Sequence, residues 1–156
     1  MTRASLALKH ARSCYGHLAG EAGVALRQRL EAEGLIQQQG NAYRLTGTGR
    51  KWAEAQHLDT DDRHAERHAR CCLDWTERQP HIGGRLGASI LARLLETKGV
   101  QRGEGRVLLC AEGSGFDAVL AALDLRSQAG LASCNPKRMA GNLSVATLEQ
   151  GASSHE

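Results

Sequence analysis

Cysteine and histidine recur together in this chain. Cys14 and His17 stand at C-x-x-H spacing in RSCYGHLAGEAGV, and Cys72 and His81 take the corresponding places in CLDWTERQPHIGG. Thiolate sulfur and imidazole nitrogen are preferred zinc ligands, so each pair is a potential chelate. Read as helix, the three-residue spacing puts Cys14 and His17 on one face. If two units pack about a pseudo-twofold, the four side chains converge on a Cys2His2 site. The competing reading is ordinary core, with cysteines packed as small hydrophobes and histidines bonded to backbone. A redox pair of Cys14 with Cys72 is a third. Cys71 and Cys72 are adjacent, so at most one of them joins any metal.

Tyr15 and Trp75 flank these residues. Together with Cys14, His17, Cys72 and His81 they are candidates to line an effector crevice between the two units. The alternative for Trp75 is a packing anchor in a core poor in aromatics. Asp74, Glu77 and Arg78 form a polar cluster beside it or, more plainly, a capped turn, with Pro80 opening the next helix. Catalytic patterns are lacking: there is no Ser/His/Asp arrangement in a recognisable context, no phosphate loop and no zincin motif. Gly83, Gly84 and Gly87 superficially resemble a dinucleotide fingerprint, but no buried strand is expected before them, and close helix packing explains them better. A non-enzyme is expected, with zinc as the cofactor to consider.

The elements that hold these residues come in two copies. HLAGEAGVALRQRLEAEGLI and HIGGRLGASILARLLETKGV share glycines and an apolar stripe: Leu18, Ala22, Leu26 and Leu30 match Ile82, Leu86, Ile90 and Leu94. The spacing of four is one helix face, and both stripes must be buried. Between Gly23 and Gly34 there is room for a shortened helix. Gly34 and Gly99 sit where a left-handed C-terminal cap is wanted. LIQQQGNAYRLT and VQRGEGRVLLC then read as hairpins. GTG (Gly47 to Gly49) and GSG (Gly113 to Gly115) lead into RKWAEAQHL and FDAVLAALDL, both helical.

The expected class is mainly α with small β-hairpins (α+β), as two degenerate winged-helix-like repeats packed together. Residues 1–57 hold the first repeat with an N-terminal helix, and residues 58–70 a charged linker or solvated helix with Asp59 or Thr60 as N-cap. Residues 71–125 hold the second repeat, and residues 126–156, rich in Gly, Ser and Ala, a tail expected to be poorly ordered.

At 156 residues the chain suits one domain or two very small ones. Aromatics make up only 3%, so Leu, Ala, Val and Ile must build the core. The formal net charge of +3 is spread among acidic residues and forms no dense basic stripe. Five cysteines, no apolar leader and no long apolar run point to a reduced, cytoplasmic protein without a membrane span.

LEAEGLI, a hairpin and then YRLTGTGR resemble the recognition helix, wing and wing exit of winged helix-turn-helix regulators. More closely, CYGHLAGEAGVAL and CLDWTERQPHIGGRLGASILARLLE are similar to paired motifs that follow the DNA-reading domain in one branch of bacterial ArsR-like transcriptional regulators, over about Arg12 to Leu125. Three departures stand out. Gly16 replaces an Asp of that pattern, Ala22 an apolar residue, and CAEGSG its second wing exit. Only MTRASLALKHA precedes the first motif, so the resemblance implies a fragment or a stand-alone module without the DNA-reading domain.

What the resemblance implies is an effector-sensing or dimerisation module. Its partners would be a second copy of the chain, a small-molecule or metal effector, DNA in the context of a complete regulator, and no membrane. Direct DNA binding by the tandem repeats is the remaining alternative, with Arg27, Arg29, Arg44, Arg50 and Lys51 on phosphates. The short helix that would enter the groove argues against it.

Overall fold

The computed structural model describes residues 2–110 and 116–125. In chain order the elements are α1 (Arg3–His10), β1 (Arg12–Cys14), β2 (His17–Ala19), α2 (Gly20–Ala32), β3 (Ile36–Gln39), β4 (Ala42–Leu45), α3 (Gly47–Ala55), α4 (Ala65–His68), β5 (Cys71–Leu73), β6 (Pro80–Ile82), α5 (Gly84–Glu96), β7 (Val100–Arg102), β8 (Leu108–Cys110) and α6 (Phe116–Ala122). The fold is α+β, with four two-stranded antiparallel hairpins among the helices. The GSG turn at Gly113 to Gly115, Cys134 and the expected tail lie outside the described residues.

Local chemistry sets the helix ends. Thr2 and Thr46 cap α1 and α3 by accepting from the backbone N–H three residues on, Ser5 at 3.1 Å and Gly49 at 2.9 Å. α2 stops at Gly34, whose φ of 71° lets the Leu35 N–H reach back to the Leu30 carbonyl at 2.9 Å. In α5 the left-handed position falls on Lys98 (φ 61°) rather than on Gly99. Gly99 answers a different demand, since a Cβ there would lie 2.7 Å from the Cβ of Ala122.

Several expectations are corrected. Helix α2 is not a shortened helix beginning after Gly23; it starts at Gly20 and runs 13 residues. Cys14 and His17 do not share a helix face but are cross-strand partners in β1–β2. The connecting turn, Tyr15-Gly16, has φ of 49° and 86°, the two positive angles of a tight hairpin turn. Pro80 opens β6, not a helix, and α4 begins at Ala65 after His64, not at Asp59 or Thr60. A short strand with His81 and Ile82 buried does precede Gly83, but it pairs only with β5 and belongs to no parallel sheet. In residues 58–70, Leu58 and His68 are buried, and the His68 Nε2 lies 2.7 Å from the Asp59 carbonyl oxygen.

The two apolar stripes, Leu18, Ala22, Leu26, Leu30 and Ile82, Leu86, Ile90, Leu94, are all buried in one core. The repeats exchange partners to achieve this. Helix α2 packs on β6 of the second copy and α5 on β2 of the first. Glycine permits the approach: a Cβ on Gly23 or Gly87 would collide with the Leu18 or Ile82 carbonyl, and one on Gly87 would also stand 3.0 Å from the His17 Cβ.

The hairpins cross over in the same way. Ser13 N–H donates to the Arg106 carbonyl at 2.9 Å and Leu108 N–H to that of Ala11 at 3.0 Å. Reciprocally, Cys71 N–H donates to the Asn41 carbonyl and Tyr43 N–H to that of Ala69, both at 2.8 Å. Each copy's first hairpin thus extends the other copy's wing. Trp52, the buried tryptophan, ties α3 to the chain after α6 by donating from Nε1 to the Leu123 carbonyl at 2.7 Å. Among the described residues no helix is long and apolar enough to cross a membrane.

Leu94 is fully enclosed and Leu6 is 52% exposed. Leu94→Ala is expected to lower the unfolding free energy in urea by about 2–5 kcal/mol, and Leu6→Ala by about 0.5 kcal/mol or less. Equal midpoint shifts would contradict this core.

Candidate metal centre

Each first hairpin carries one Cys and one His directly across from each other: Cys14 opposite His17, and Cys72 opposite His81. Because the hairpins face each other over the pseudo-twofold, one potential ligand atom from each of the four residues lies within 4.8 Å of all the others. Tetrahedral zinc, with bonds of about 2.3 Å to sulfur and about 2.0–2.1 Å to nitrogen, needs ligand atoms about 3.3–3.8 Å apart. A contraction of about 1 Å would close the set. The histidines are buried and the cysteines half-buried.

The polar accounting of the two imidazoles is unusual. Their ring centroids are 5.1 Å apart, and none of their four nitrogens has a hydrogen-bond partner. Buried polar atoms without partners are costly and rare. His17 is driven down to about 4 by burial, then by the neighbouring His81 and Arg70. Burial also lowers His81, against the opposing pull of Asp74. Both rings are therefore neutral near pH 7, the form that ligates a metal. The Cys72 thiol is pushed up to about 11 by burial and by Cys14 beside it. Without a metal the Cys72 thiol is protonated, so zinc loading would displace its proton. Cys71 does not join; it packs at the edge of the core, near Tyr43.

A buried ion pair braces one side of the cluster, and the sequence reading missed half of it. Arg12 and Asp74, 1% and 0% exposed, meet at 2.8 Å between Nη2 and Oδ1. Arg12 also donates to the Leu8 carbonyl at 3.0 Å and to Thr76 Oγ1 at 3.2 Å. Asp74 Oδ2 accepts from the Gly20 N–H at 2.6 Å, and Oδ1 accepts from the N–H and hydroxyl of Thr76. Burial alone would raise the Asp74 carboxyl, but these donors and the Arg12 charge hold it at about 2. Asp74 Oδ2 lies 3.2 Å from His81 Nδ1, off the line of a hydrogen bond. A carboxylate behind a metal-binding imidazole is the usual way its ring is oriented. The available signal was R-x-C at Arg12–Cys14 and again at Arg70–Cys72, with an acid two residues after only the second cysteine.

The other sequence candidates lie elsewhere. Tyr15 at the turn is 94% exposed, and Trp75 is 70% exposed, so Trp75 is not the packing anchor considered above. Its ring instead covers the Arg12 guanidinium at 4.8 Å. Between α2 and α5, beneath the cysteine and histidine cluster, Leu18, Leu26, Ile82 and Ile90 with Gly23 and Gly87 enclose only about 10 Å³. Such a space is too small for an organic effector. Three of the five proposed phosphate contacts are engaged within the protein: Arg27 with Glu31, Gln79 and the Pro80 carbonyl, Arg29 with Glu33, and Arg50 with Asp62 and the Thr60 carbonyl. Arg44 and Lys51 are exposed, without an ion pair among the described residues.

The chain is 37% identical over 97 residues to an uncharacterized HTH-type transcriptional regulator, YdfF, of Bacillus subtilis (strain 168). The match covers 61% of this chain and 43% of that regulator, so the chain spans less than half the length of this relative. No family model matches the chain, and no solved structure does.

Asp74→Asn would leave the Arg12 charge buried without a counter-ion. It is expected to cost about 3–5 kcal/mol of stability, whereas Asp62→Asn, at the partly exposed pair with Arg50, should cost about 1 kcal/mol or less. Urea titrations of the two variants check the contrast, and a mild Asp74→Asn would contradict the bracing role.

Proposed function

We propose that this chain is the metal-responsive part of a helix-turn-helix transcriptional regulator of the ArsR-like kind. In this reading Cys14, His17, Cys72 and His81 hold zinc at the junction of its two repeats. What carries it is the combination of four ligand-type side chains gathered from two hairpins with a buried His17 ring whose two nitrogens have no hydrogen-bond partner. Similarity to a helix-turn-helix regulator supports the regulatory context. The metal supplies a cross-link: two thiolates and two imidazoles joined to one ion fix one hairpin against the other.

The chain's own connections make that cross-link informative. Each hairpin is hydrogen-bonded to the opposite repeat's wing, so drawing the hairpins together draws the wings with them. In a complete, dimeric regulator such a shift changes the spacing of DNA-reading domains across a twofold operator, provided zinc binds the two arrangements unequally. DNA contact then belongs to the longer regulator, because most of the arginines considered for phosphate are paired internally.

Native mass spectrometry of protein purified without chelator should report one zinc per chain. Cys14→Ser and Cys72→Ser should each lose it. Zinc at a hundred times its dissociation constant should stabilise the wild type by about 2.7 kcal/mol. A metal-free wild type whose melting temperature responds to neither zinc nor chelator would refute the proposal.

A further inference from the structure

The bracing of the metal centre is one-sided. On the first repeat, Arg12 lies opposite Ala19 in the hairpin and Gly20 opens α2 with φ of 80°. The Asp74 carboxylate sits on the Arg12 guanidinium and the Gly20 N–H, beside His81. The second repeat reproduces the backbone of the receptor. Gly83 N–H donates to the Arg70 carbonyl at 2.8 Å, and Gly84 opens the 13-residue helix α5 with φ of 70°. The surroundings correspond as well: a Cβ on Gly20 would meet the Lys9 carbonyl oxygen at 2.7 Å, and one on Gly84 the His68 carbonyl oxygen at 2.7 Å.

What the second repeat lacks is the acid. Two residues after Cys14 the chain has Gly16, where two after Cys72 it has Asp74, and a Cβ on Gly16 would have nothing within 4 Å. Among the described residues the Gly84 N–H has no acceptor, and Arg70 is exposed with no hydrogen bond or ion pair to its guanidinium. His17, 2% exposed, has both ring nitrogens unpartnered. It packs on the first turn of α5, its Nε2 3.3 Å from where a Gly83 Cβ would be, and it feels the Arg70 charge. A guanidinium, a helix-opening N–H and an imidazole without an acceptor are the donors that Asp74 engages or neighbours on the other side.

We infer that Arg70, the Gly84 N–H and His17 form a site for the carboxylate of a small organic acid, standing in for the missing counterpart of Asp74. Guanidinium binds a planar carboxylate through two parallel N–H donors, and a helix N-terminus adds a further N–H and a favourable dipole. The bound acid takes the acceptor position behind His17 that Asp74 holds behind His81, orienting that ring. This deepens the proposed function by naming the class of a second ligand for the same module, although the anion site forms without metal.

The test is therefore run on 15N-labelled full chain dialysed free of metal and chelator, titrated at pH 7 with sodium acetate replacing chloride at constant ionic strength. The Gly84 amide and the His17 ring protons should shift saturably. In Arg70→Gln, an exposed change, the apparent dissociation constant for acetate should rise about tenfold or more, the effect of losing a charge-assisted contact. Three results would overturn the inference: no saturable shift at Gly84 in the wild type, an unchanged titration in Arg70→Gln, or sulfate saturating the same signals as tightly as acetate. None depends on zinc, so failure here leaves the metal reading to its own experiment.

Discussion

The structure turns on the contact of a histidine with a glycine, made twice. His81 lies over Gly23 and His17 over Gly87, and a side chain on either glycine would collide with the carbonyl of Leu18 or Ile82 in the strand before it. This close approach lets α2 pack on β6 and α5 on β2, and it sets the two hairpins face to face. The gathering of cysteine and histidine follows from it. Neither hairpin could hold a metal alone, since each brings only one sulfur and one imidazole to the cluster.

The exchange of partners also explains how such short strands persist. Isolated two-stranded hairpins are marginal in water. Here the three-residue β1 and β5 each gain further backbone bonds from the opposite wing, and the apolar stripes beneath them are buried together. The buried Arg12–Asp74 pair is the exception to a symmetric plan. Removing both charges from water is expensive and gives little net stability by itself. Its position behind His81 points instead to orientation: a fixed carboxylate holds one ring of the cluster, while the other ring has none from the protein.

Much of this was legible in the sequence, for identifiable reasons. The paired stripes from Leu18 and Ile82, the wings after the first long helix of each repeat and the helices after the wings all carry ordinary periodicity or turn chemistry. The convergence of Cys14, His17, Cys72 and His81 followed from repeat logic, even though the local conformation assigned to the first pair was wrong. Tyr15-Gly16 hid the first hairpin, because a tyrosine with positive φ lacks the Asn or Asp that normally announces such a turn. Lys98 hid a helix cap for the same reason. Arg12 with Asp74 was illegible as a pair, since two single charges far apart in the chain carry no period. Trp75 misled because composition speaks to how many aromatics a core has, not to which tryptophan supplies them.

The crossed hairpins also bear on how the chain emerges from the ribosome. Ala11 and Ser13 complete their backbone bonds with Leu108 and Arg106, and α2 rests on a strand that begins at Pro80. At about 5–20 residues per second, the first repeat waits about 3–10 s with strand edges uncovered before its wing partners exist. The unit closes late, when β8 and then α6 with Leu123 arrive.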